Sequence, residues 1–146
     1  MKKLITLILA TCLSLAIAVP CMAEGEDITV LVNEEELVFD TKPMLLNDRT
    51  MVPMRAIFEK LGCSVEWIED LQMIIATRNS LLIAMQIDQD KFYSTDVADN
   101  TQNTYDLDVA PLIVNDRTLI PLRAVSEALG CKVDWVEETS TVVITQ

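Results

Sequence analysis

The chain has 146 residues, with 23 acidic against 11 basic side chains, four cysteines and no histidine. Without imidazole there is no Ser-His-Asp or Cys-His nucleophile, no histidine-ligated copper or zinc, and no histidine acting as general base. A formal charge of -12 argues against nucleic acid, whose phosphates select clusters of Lys and Arg. The length allows one domain, or two very small ones.

Met1-Lys2-Lys3 is a short basic start, and residues 4–19 carry no charge. Pro20 breaks the run, and Cys21-Met22-Ala23 places small residues at the two key positions of a cleavage site, so residues 1–23 are expected to be a signal peptide cut after Ala23. A retained anchor is the rival expectation, but the apolar run is short for a span and acids follow it. A lipoprotein signal needs a small residue before its cysteine, whereas Cys21 follows Pro20. After cleavage the chain keeps all 23 acids and nine bases, a balance of -14. Such a surface repels anionic lipid and nucleic acid, and no membrane span is expected in it.

Two strands are expected next, at 28–32 and 36–39. Residues 43–78 then align without gaps on 111–146, at an offset of 68, with sixteen of 36 pairs identical. One unit is written twice. In each copy an apolar stretch meets Asn-Asp-Arg-Thr and another apolar stretch, which reads as a hairpin whose Asn-Asp turn tolerates positive φ. Pro53 and Pro121 suit the first turn of a helix. Met54, Ile57, Phe58 and Leu61 share one face of the first helix, as do Leu122, Val125 and Leu129 of the second, and Gly62 and Gly130 cap them. Helices this short are marginal alone and must lie on a sheet. The sheet is expected from strands in which Cys63, Val65 and Trp67, or Cys131, Val133 and Trp135, alternate onto one face. Short strands at 73–77 and 141–145 follow turns at Glu69-Asp70 and Glu137-Glu138. Strands at 81–87 and 91–94 precede the second copy, and the polar stretch 95–104 reads as an exposed loop.

Asn47, Arg49, Thr50, Pro53, Arg55, Leu61, Gly62, Val65 and Trp67, repeated as Asn115, Arg117, Thr118, Pro121, Arg123, Leu129, Gly130, Val133 and Trp135, resemble the copper amine oxidase N-terminal-like or stalk domain. The resemblance implies residues 24–146 as one such domain, built of two repeats at about 28–80 and 81–146. It implies an α+β fold of two tandem related units, each a small antiparallel sheet curled around one short helix. It also implies a setting in secreted and envelope proteins of Gram-positive bacteria. The amine oxidases' copper needs three histidines, which this chain lacks, so amine oxidation is excluded. The family usually has Gly where Asp48 and Asp116 stand, and Ala where Cys63 and Cys131 stand.

Cys63 and Cys131 are the thiols left after cleavage, at equivalent positions. In an exported protein they could form a disulfide, but their place on the Val/Trp face favours buried cysteines acting as small hydrophobes. Arg55 and Arg123 lie four residues before Glu59 and Glu127. An ion pair within the helix, or packing against Trp67 and Trp135, is favoured over a carboxylate-binding pair. Pro53, Gly62, Trp67, Pro121, Gly130 and Trp135 read as structural in the same way, core packing of the tryptophans being favoured over a sugar platform. Arg49 and Arg117, at the hairpin tips, together with Asn47 and Asn115 are the candidate binding residues. Asp88-x-Asp90, Asp96 with Asp99, and Asp106-x-Asp108 lack the EF-hand order, so no metal and no cofactor are expected.

The expected function is a non-catalytic interaction or stalk module, secreted or held at the cell envelope. Its partner is expected to be a protein or a cell-wall component, with a homodimer left open. Recognition of wall glycan or peptide is the alternative within binding, and a carboxylate-dependent hydrolase the alternative from another class.

Overall fold

A computed structural model describes residues 27–146, so the expected leader lies outside the described residues. In chain order the elements are β1 (Thr29–Val32), β2 (Glu35–Glu36), β3 (Met44–Leu46), β4 (Arg49–Pro53), α1 (Met54–Lys60), β5 (Ser64–Ile68), β6 (Met73–Arg78), β7 (Leu81–Gln86), β8 (Lys91–Asp96), β9 (Thr101–Asp106), β10 (Leu112–Val114), β11 (Arg117–Pro121), α2 (Leu122–Ala128), β12 (Lys132–Val136) and β13 (Thr141–Thr145). One-turn 3-10 helices, Glu69–Leu71 and Glu137–Thr139, link β5 to β6 and β12 to β13.

Local chemistry explains the punctuation. Asn47 and Asp48 take φ 49° and 60°, and Asn115 and Asp116 take 50° and 60°. Two successive positive φ values make a turn whose twist matches that of its strands, and Asn and Asp accept the left-handed region more readily than other side chains. Pro53 and Pro121 end their strands and stand at the N-caps, where an absent N–H leaves no helix hydrogen bond unmade. Gly62 and Gly130 have φ 85° and 82°. The Gly62 amide donates to the Glu59 carbonyl at 3.0 Å and that of Cys63 to Phe58 at 2.8 Å, while Gly130 and Cys131 donate to Glu127 and Ser126, both at 2.9 Å. This paired pattern closes the last helical turn around a left-handed residue.

The expected α+β fold of two successive units is corrected by the sheets. Among the described residues the architecture is mostly strand, thirteen in three sheets, with two short α-helices. One sheet runs β12-β13-β1-β2, one β5-β6-β7-β8-β9, and the third, β10-β11-β4-β3, takes two strands from each copy. In that shared sheet β4 and β11 are antiparallel, with Val52 opposite Ile120, Met51 opposite Pro121 and Pro53 opposite Leu119. Under the 68-residue offset the Val52–Ile120 pair maps onto itself and the other two pairs exchange, so the copies are related by a pseudo-twofold axis through Val52 and Ile120. Each helix packs on a strand of both copies, α1 on β5 and β11, α2 on β12 and β4. The first strand also crosses over, since β1 runs parallel to β13.

The stretch 95–104, expected as a loop, is a correction of the same kind. It forms the ends of β8 and β9, with Thr95 opposite Gln102 and Asp96 opposite Thr101. Residues 101–104 are all exposed, so they lack the apolar alternation that marks a half-buried strand. The carboxylates of Asp96 and Asp99 accept from the amides of Ala98 and Thr101 at 3.0 and 2.9 Å and shape the turn.

The interlocking follows from strand alternation. Val52 and Ile120 face the main core, which also holds Ile57, Phe58, Ile74, Phe92, Val125 and Ile144. Met51 and Leu119 point the other way, into a second cluster with Val109. A strand buried on both faces needs more cover than one unit carries.

Candidate functional site

The motif residues gather in two clefts that the pseudo-twofold axis exchanges. The first, about 670 Å³, lies between the β3–β4 hairpin of copy one and α2 with β12 of copy two. Leu45, Asp48, Arg49 and Thr50 form one wall; Arg123, Glu127, Trp135 and Glu137 form the other, and Asp106 and Asp108 close it. The second, about 780 Å³, places Ile113, Asp116, Arg117 and Thr118 opposite Arg55, Glu59, Trp67 and Glu69, with Val38 and Asp40 beside them. All thirteen residues of the second cleft have their 68-residue counterpart in the first.

Reciprocal ion pairs join the copies at these clefts. Arg49 Nε donates to Asp108 Oδ2 at 2.8 Å, and Arg117 Nε to Asp40 Oδ2 at 2.7 Å. The hydrogen bond from Arg117 holds the Asp40 carboxyl below the usual carboxylate range, and Asp40 in turn raises the arginine. Arg49 and Arg117, expected at open tips, therefore stand over the clefts with their guanidinium groups engaged. Asn47 and Asn115 shape the turns and do not line either cleft. Arg55 and Arg123 reach Glu59 and Glu127 at 3.4 Å, and Arg123 also donates to the Val133 carbonyl at 2.9 Å.

Trp67 and Trp135 are half-buried. They pack on the core, and each indole N–H donates to a carboxylate two residues on, Glu69 or Glu137. The alternation in β5 and β12 thus turns one edge of each ring inward while another surface lines the cleft.

Counting side chains, the first cleft sets Asp48, Asp106, Asp108, Glu127 and Glu137 against two arginines, an excess of three negative charges. The second sets Asp40, Glu59, Glu69 and Asp116 against two, an excess of two. Among the thirteen cleft pairs ten are identical; the exceptions are Val38/Asp106, Met54/Leu122 and Ile113/Leu45. The core has drifted further. Of ten repeat pairs buried in both copies only Pro53/Pro121, Leu61/Leu129 and Cys63/Cys131 are identical, and Phe58 has become Ser126.

The sequence marks Asp108 only as half of an acidic pair and does not single out Asp40, because both lie three residues upstream of the gapless repeat, yet they keep its 68-residue spacing. That spacing was the available signal. Glu69 and Glu137 were read only as turn residues, and the contact to the indole appears only in three dimensions.

Away from the clefts, Cys63 and Cys131 are buried free thiols, and burial pushes both thiols up. Near them Arg78 donates to two helix-end carbonyls at once, Leu61 at 3.1 Å and Leu129 at 2.6 Å. Its repeat counterpart Gln146 donates to Leu61 at 3.2 Å. Two of the three acidic pairs considered for calcium are spent locally: Asp106 bonds Lys91, Asp108 bonds Arg49, and Asp96 and Asp99 hold the β8–β9 turn. Among the described residues no three His, Cys, Asp or Glu side chains converge to hold a metal, and no helix is long and apolar enough to cross a membrane.

Fold and clefts together define a strand-dominated domain of two interlocked copies with paired, equivalent clefts. Residues 31–144 match the copper amine oxidase N-terminal domain, and the chain belongs to that family. This domain is non-catalytic. Comparison with curated proteins and with solved structures gave no match.

Proposed function

We propose that this protein is an exported, non-catalytic interaction module of the cell envelope or its surroundings, and that it holds its partner in the two clefts. The observation that carries the reading is the contrast between cleft and core. Ten of thirteen cleft pairs are identical, against three of ten buried pairs, the proline pair Pro53/Pro121 falling in both sets. Packing alone tolerates exchange of one apolar side chain for another of similar volume. Exposed polar and aromatic positions that stay fixed while the core varies mark a surface kept for recognition.

Two measurements test this. N-terminal sequencing of protein recovered from outside the cell is expected to begin at Glu24; recovery inside the cell with residues 1–23 intact would overturn export. Purified protein mixed with envelope fragments is expected to co-sediment, and the double variant Leu45→Gln, Ile113→Gln to stay in the supernatant. Both residues are exposed, at 55% and 47%, so the change leaves the core untouched. Equal sedimentation of the two proteins would remove the clefts from the function.

A further inference from the structure

Resting on the reading of the clefts as binding sites, we propose that each cleft takes a lysine- or arginine-bearing segment of a partner polypeptide, two segments per chain. Three features converge on this chemistry. Carboxylates outnumber arginines by three in the first cleft and by two in the second, Lys91 at Asp106 bringing the first excess down to two, and the arginines are already engaged by Asp108, Asp40, Glu127 and Glu59. An incoming anion would meet neutralised guanidinium groups and an unfavourable field, whereas a cation meets a favourable one. Each cleft also presents an indole, the best aromatic partner for a cation, beside an exposed aliphatic side chain able to cover the methylene stem of a lysine. The room, several hundred Å³ in each, admits side chains together with a short stretch of backbone.

The clefts are not identical. Position 38 of the second is Val, 81% exposed, where the first has Asp106. Lys91 pairs with Asp106 and offsets the extra carboxylate, so the two clefts are expected to take a basic segment with similar strength.

Both tryptophans of the chain lie in the clefts, so intrinsic fluorescence reports their occupation. The probes are a short peptide of alternating lysine and serine and its glutamate counterpart, titrated into the full protein at low and high salt. The lysine peptide is expected to change the emission and saturate at two per chain, weakening as salt rises; the glutamate peptide is expected to do neither. Asp106→Val, which removes a carboxylate and strips Lys91 of its partner, is expected to weaken the first site by about tenfold or less, the range of one surface charge contact. Val38→Asp, a gain of binding at an exposed site, is expected to strengthen the second site by a similar factor. Glutamate peptide binding as well as lysine peptide, no tryptophan response, or indifference to Val38→Asp would overturn the proposal. Failure here alongside cleft-dependent sedimentation of envelope fragments would discard only the ligand class. Cleft-independent sedimentation would discard the binding reading itself.

Discussion

Val52 stands directly opposite Ile120 in the pairing of β4 with β11, and the two are the same position of the repeat. An antiparallel pair reverses one strand against the other, so this single contact sets the twofold relation of the copies and, with it, the existence of two equivalent clefts. Both side chains are fully buried.

Ile120→Ala is expected to cost about 2–5 kcal/mol, the range for truncating a buried aliphatic side chain where the surroundings relax only partly. Because the strand belongs to a core shared by both copies, urea unfolding should remain a single transition. Separate transitions for the two copies would show that they do not depend on each other.

Arg78→Met should lower stability by about 2 kcal/mol, since hydrogen bonds from a charged donor are worth roughly 1.5–3 kcal/mol each and partial exposure discounts them. Hydrogen exchange is expected to quicken at the ends of both α1 and α2, because the guanidinium bridges Leu61 and Leu129. Gln146→Ala, by contrast, should loosen α1 alone. Faster exchange at only one helix end in Arg78→Met would contradict the bridge.

Ser126 occupies the place of Phe58, is fully buried, and its hydroxyl has no hydrogen-bond partner. An unsatisfied buried polar group costs roughly 1–3 kcal/mol, so Ser126→Ala is expected to stabilise by about 1 kcal/mol once the lost volume is allowed for. A fall in the thermal midpoint would show that the hydroxyl is satisfied.

The hydrogen bond from Arg117 depresses Asp40. A carboxyl depressed on folding contributes its stability in full above its unfolded-state pKa and loses it as pH falls through the folded value. A carbon NMR titration should place Asp40 below the ordinary aspartate range, and Arg117→Leu should return it there. An Asp40 already ordinary in the parent protein would remove this contact from the pH response.

Much of the local structure was legible because it rests on residues close in sequence. Positive φ at Asn47-Asp48, the left-handed caps at Gly62 and Gly130, and the face shared by Ile57, Phe58 and Leu61 each follow from a few neighbours. The β8–β9 ends did not, since Thr101 to Thr104 are exposed polar residues that only their pairing with β8 makes a strand. The clefts were legible as motifs but not as places: Arg49 and Trp135 lie 86 residues apart in the chain and share a cleft because the copies interlock.

By itself the sequence determined the turns, the helices, the twofold repetition, the charge and the absence of histidine chemistry, all of which depend on residue type and short spacing. Only the tertiary structure decided that the copies share a sheet, that β1 joins β13, and that each cleft takes one wall from each copy. Those choices depend on how two-faced apolar strands such as β4 and β11 find cover, and that energy arises between segments far apart in the chain, where no local pattern records it.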